Sequence, residues 1–192
     1  MQIENLTPEQ LKNALVPYVE KWAPDCEFKF DETTEDDASG SYNMIGKTIT
    51  IRYLPLLKDS EALKREGKDI PLLEHALVTL AHEIGHHQDK KLISMKLKGG
   101  MELDKAFCIK NKSTNERDDE QYLQHIANYC KIEFFNEIRA WQNAKRIVKG
   151  EIPKEIFYYV FRDCLSSYLD GYKKIYEQTI KDYYNEKTSG AT

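Results

Sequence analysis

A chain of 192 residues with 41% hydrophobic side chains can bury one sizeable core and offers no evident second unit, so a single domain over 1–192 is expected. Its 28 basic and 32 acidic side chains leave a formal charge of −4, which gives nucleic acid and anionic membranes no electrostatic handle; neither is expected as a partner. No run of about 18 apolar residues occurs, Met1–Leu6 lacks the basic-then-apolar pattern of a secretory leader, and Cys26, Cys108, Cys130 and Cys164 form no Cys-x-x-Cys pair, which together predict a cytoplasmic protein with free thiols.

Thr7-Pro8-Glu9-Gln10 has the form of a capping box and predicts a helix through about Lys21, with Leu11, Leu15 and Val19 on its apolar side and Pro17 as a point of kinking or shortening. Cys26–Phe30 alternates as a short strand, and the acidic run Asp31–Asp37 reads as a solvated turn. Gly40–Met44 and Lys47–Tyr53 flank Gly46 as the arms of a hairpin. A helix is then expected from Asp69 as N-cap and Pro71 in the first turn, because Leu73, Leu77, Leu80 and Ile84 recur at helical spacing. Leu92–Asn115, with Gly99-Gly100 and the polar run Asn111–Asn115, reads as a mobile connection, either a lid or a plain surface loop. Glu116–Lys149 has no Gly or Pro and predicts a long helix with Leu123, Ile126, Cys130, Phe134, Trp141, Ala144 and Val148 in one stripe. The chain from Pro153 to about residue 187 reads as a helix that Gly171 bends or splits, and its tyrosines at helical spacing read as packing groups.

The predicted helix after Pro71 carries His82-Glu83-Ile84-Gly85-His86. Two imidazoles one turn apart can bite one metal ion without bending the helix, and a carboxylate beside the ion can take a proton from a water that zinc acidifies to a pKa of about 7. His75, Thr79, His82, His86 and Asp89 share one side, although His75 lies about 10 Å before His82 along the axis and cannot share the metal. His87 is turned about 100° from His86 and reads as a surface or supporting residue. Gly85 costs about 1 kcal/mol against alanine inside a helix, which asks for a close approach of another backbone. Asp89 is placed to accept a hydrogen bond from a ligand imidazole, or simply ends the helix. A catalytic zinc needs a third protein ligand. Glu137 falls near the centre of the apolar stripe of the long helix, where a carboxylate seeks a proton, a cation or a metal; Glu133, about 40° further round, is a weaker candidate and a possible supporting group.

Ala81-His82-Glu83-Ile84-Gly85-His86-His87-Gln88-Asp89, followed downstream by Glu133-Phe134-Phe135-Asn136-Glu137, resembles the gluzincin metallopeptidases, and among them the compact peptidase domains related to anthrax lethal factor. The resemblance covers chiefly residues 40–150. It implies Glu137 as third zinc ligand, and a small curved sheet over the motif helix whose edge strand, Thr48–Tyr53 or its hairpin partner, receives the peptide in extended form. That group carries an oxyanion-stabilising tyrosine seven residues before the third ligand, where this chain has Cys130; Tyr129 is the nearest substitute.

These readings combine into an α+β, mostly helical, minimal zincin-like domain. The expected activity is that of an endopeptidase with one zinc per chain on His82, His86 and Glu137, with Glu83 as base. A non-catalytic peptide-binding module with the same shell, or a metal-dependent hydrolase of a non-peptide substrate, are the alternatives.

Overall fold

The computed structural model describes residues 6–34, 38–111 and 116–189. The elements run α1 (Pro8–Trp22), β1 (Glu27–Asp31), β2 (Gly40–Asn43), β3 (Thr48–Arg52), α2 (Tyr53–Arg65), α3 (Leu72–His87), α4 (Leu92–Lys110), α5 (Glu116–Ile147) and α6 (Lys154–Ser189). The class is α+β, mostly helical with one small sheet. The elements group into two compact units. One contains α1, the strands, α2, α3 and Arg139–Asp163; the other contains α4, α5 through Ile138 and the chain from Cys164 onward.

In the first unit, Thr7 and Gln10 close the capping box in both directions, at 3.0 and 3.3 Å, and α1 buries Leu11, Leu15 and Val19. Pro17 lies inside α1 without ending it. The sheet order is β1-β3-β2, with β3 parallel to β1 and antiparallel to β2. Thr48–Arg52 is thus the central strand, with Ile49 and Ile51 fully buried, and its hairpin partner β2 is an edge. Alternation alone could not rank the two arms, because β3 takes its second neighbour from β1, across an intervening loop. Between β2 and β3, the Asn43 side-chain oxygen accepts the Ile45 and Gly46 amides at 3.0 and 3.1 Å, and Lys47 carries the positive φ of 46°. Tyr53 opens α2, an element that the sequence reading missed, and its hydroxyl donates to the Leu6 carbonyl at 3.0 Å. Asp31 accepts from the Thr33 and Thr34 amides at 2.9 and 3.0 Å, as a solvated turn does; residues 35–37 of the acidic run lie outside the described residues.

Pro71, not Asp69, stands at the N-cap of α3, with no side-chain cap. Burial compensates: His75 through Gly85 are all buried, so this helix is held by packing on nearly every side.

In the second unit, Leu92–Lys110 is helix α4 rather than a loop. Gly99 explains the difference, since a Cβ there would lie 3.1 Å from Glu133 Oε1 and 3.6 Å from Tyr129 and Ile132 side-chain atoms. The glycine that weakens the helix locally lets α5 approach it closely, and packing outweighs the penalty of about 1 kcal/mol. Residues 112–115 of the polar run lie outside the described residues. Ala106, Tyr122, Ile126 and Tyr183 form a small core in which Tyr122 and Tyr183 stack at 4.3 Å and the Tyr183 hydroxyl donates to Asp119. Gly171 does not split α6, which runs unbroken through it. Among the described residues, no helix is long and apolar enough to cross a membrane.

Candidate metal centre

Three contacts fix α3 against the C-terminal part of α5. Gly85 meets the Ala140 carbonyl so closely that a Cβ would fall 2.2 Å from its oxygen. Asn143 Nδ2 donates to the Gly85 carbonyl at 2.9 Å, satisfying an acceptor that lies near the end of the helix. Arg139 grips both carboxylate oxygens of Asp89, with Nε at 2.8 Å from Oδ2. This guanidinium fork holds Asp89 at the C-terminal end of α3. The Asp89 amide bonds the His86 carbonyl at 3.1 Å.

Within that frame Trp141 lies flat against His82, with ring centroids 4.2 Å apart at 28°, and is itself wedged edge-on against Phe157 and Phe161. The indole fixes the imidazole plane, and the His86 ring stands nearly perpendicular to His82 at 4.7 Å. Glu137 precedes Trp141 by one turn in the same unbroken helix. The ligand atoms of His82, His86 and Glu137 lie within 4.8 Å of one another. His82 is 3% exposed, and His86 and Glu137 are half-buried, which leaves the group partly open to solvent.

Glu83, 6% exposed, points toward the sheet. A Cβ on Gly40 of β2 would lie 2.8 Å from Glu83 Oε1 and 3.0 Å from Thr79 Cγ2, so the edge strand rests its bare backbone on the carboxylate. No strand pairs with the outer rim of β2 among the described residues.

The remaining candidates sit elsewhere. Glu133 is more buried than Glu137, at 7% exposed, and pairs with Lys96 rather than joining the metal group. The 40° offset did not predict this, because the helix that would supply Lys96 read as a loop. Tyr129 packs beside Gly99, and burial, followed by the charge of Glu133, pushes its hydroxyl above the usual range. Sequence reasoning passed over Tyr172 of α6, whose hydroxyl is pushed far up by burial, then by the charge of Glu137 ahead of that of Glu133. Nothing in its local sequence distinguishes Tyr172 from the other tyrosines of that helix. His75 is 2% exposed and so belongs to the core rather than to the open side of the group.

Two imidazoles and a carboxylate are a donor set suited to zinc with one position left open. No family model matches the chain, and no curated protein or solved structure matches it either.

Proposed function

We propose that the chain is a zinc-dependent endopeptidase of the gluzincin type, with His82, His86 and Glu137 as metal ligands and Glu83 as general base. The observation carrying this reading is the convergence of those three ligand groups, from two helices, beside a buried carboxylate in the same turn. Zinc bound there supplies Lewis acidity and a water of lowered pKa. Glu83 takes the proton of the attacking water and returns it to the departing amine nitrogen. The open rim of β2, resting on Glu83 at Gly40, is the place for an extended peptide to add as a further strand. A motif helix beneath a small sheet, with the third ligand on a later helix, supports a minimal zincin-like domain, working in the cytoplasm on peptides or proteins.

Zinc content and peptide-library cleavage test this. Glu137→Ala should lose one zinc per chain. Glu83→Gln should keep that zinc and lose turnover by roughly 10²- to 10⁴-fold, since the amide keeps the shape without the base. Equal turnover in Glu83→Gln would remove the mechanism. Zinc bound at this site with no peptide hydrolysed would favour the binding-module or non-peptide hydrolase readings.

A further inference from the structure

We propose a second divalent-metal site, suited to zinc, formed by Asp25, Cys26 and His87. Their ligand atoms lie within 4.8 Å of one another, in the first unit, and none of the three belongs to the peptidase machinery. Asp25 and Cys26 come from the link between α1 and β1, and His87 is the last residue of α3.

The surrounding bonds guide which atoms are assigned to the ion. His87 Nε2 lies 3.0 Å from Asp25 Oδ1, while His87 Nδ1 lies 3.1 Å from the Tyr42 hydroxyl on β2 and Asp25 Oδ2 takes Lys47 Nζ at 2.9 Å. We assign Nε2 and Oδ1 to the ion, which would replace the hydrogen bond between them, because the other atoms of both ligands already hold orienting partners of the kind found around metal sites. For a neutral ring without metal, both contacts are satisfied when Nε2–H donates to Asp25 and Nδ1 accepts from Tyr42. With metal, the ring proton moves to Nδ1 and the tyrosine oxygen accepts it, since a hydroxyl serves in either sense. Cys26 gives its thiol proton to solvent, and thiolate plus carboxylate then neutralise the dication.

Zinc bonds of about 2.0–2.3 Å put tetrahedral ligands about 3.3–3.7 Å apart, so closure needs about 1 Å of side-chain movement. A thiolate and an imidazole exclude calcium and magnesium as the preferred ion, because those take oxygen donors. Lys47 opposes a cation, yet it sits on the far oxygen and its side chain is 55% exposed on a flexible stem, free to swing into water. An ion here ties the α1–β1 link to the end of α3 and, through Tyr42, to the edge strand.

Cobalt(II) added to the metal-free full chain is the probe. The parent should take up two cobalt ions and show a near-ultraviolet thiolate-to-cobalt charge-transfer band. Cys26→Ser should abolish the band, and His87→Ala should abolish or strongly weaken it, each losing one cobalt. Glu137→Ala should lose one cobalt and keep the band, because the His82, His86 and Glu137 group has no sulfur. The band is thus readable whether or not the peptidase reading holds. Its absence from the parent, or its persistence in Cys26→Ser, overturns the proposal.

Discussion

At the scale of single residues, Gly40 and Glu83 are matched by size. An alanine methyl at 40 would meet Glu83 Oε1 at 2.8 Å and both Glu83 Cγ and Thr79 Cγ2 at 3.0 Å, all on buried side chains, so Gly40→Ala should cost about 1–3 kcal/mol. The carboxylate must move, and turnover in a peptide-cleavage assay should fall at least tenfold at temperatures where the variant is still folded. Unchanged turnover would mean that Glu83 has no fixed position to lose. His75 makes a different prediction. Its Nδ1 has no hydrogen-bond partner among the described residues, and burial lowers its pKa from about 6.5 to about 4. The folded state binds this proton less tightly than the unfolded state, so stability present above pH 6.5 is lost as pH falls toward 4, by about 3 kcal/mol at 1.36 kcal/mol per unit. Urea unfolding of metal-free protein at pH 7 and pH 4.5 should show a smaller acid loss in His75→Leu than in the parent; equal losses would exclude His75 as a source of the acid sensitivity.

At the scale of elements, Gly85 decides how α3 and α5 meet. An added methyl there faces backbone, which cannot rotate away, so Gly85→Ala must push the helices apart. The expected cost is about 1–3 kcal/mol, together with weakened metal binding, read by chemical denaturation and zinc titration. This contact was legible in the sequence, because a glycine inside a helical motif asks for an approaching backbone, and the structure supplies Ala140. The helix bearing His82 and His86, the long helix bearing Glu137 and the capping box at Thr7 were legible for the same reason: their signals lie within one segment. What stayed hidden depends on partners far along the chain. Gly99 marks helix α4 only once Glu133 and Tyr129 are seen against it, and the edge strand could not be told from the central one without β1. The pairing of Asp89 with Arg139 was hidden in the same way, since the two lie 50 residues apart.

At the scale of the whole molecule, the two units differ in what holds them. The first buries Leu11, Leu15, Ile49, Ile51, Leu56, Leu63, Leu80 and Ile84 almost completely, whereas the second rests on a small core in which two tyrosines stack. Amides of α3 and β3 should therefore exchange more slowly with deuterium than those of α4 and the later part of α6, by roughly 10-fold or more. Uniform exchange rates across these elements would show that the chain opens as one unit instead. Bound metal should add to stability by mass action, about 2.7 kcal/mol at a free concentration of 100 times the dissociation constant. A chelator should lower the melting temperature of the parent more than that of Glu137→Ala, and whatever chelator effect survives in that variant should vanish when Cys26→Ser is added.

The outer rim of β2, against which no strand pairs among the described residues, has a consequence for handling the protein in solution. Unpaired amides and carbonyls on a strand do not distinguish a foreign extended chain from a second copy of the same strand, and Ile45 at the adjoining hairpin tip is 91% exposed. Crowded solutions should therefore hold transient rim-to-rim dimers. A strand of four residues offers too few hydrogen bonds to make them durable, so they dissolve on dilution. Light scattering across a dilution series gives the concentration below which such dimers no longer form.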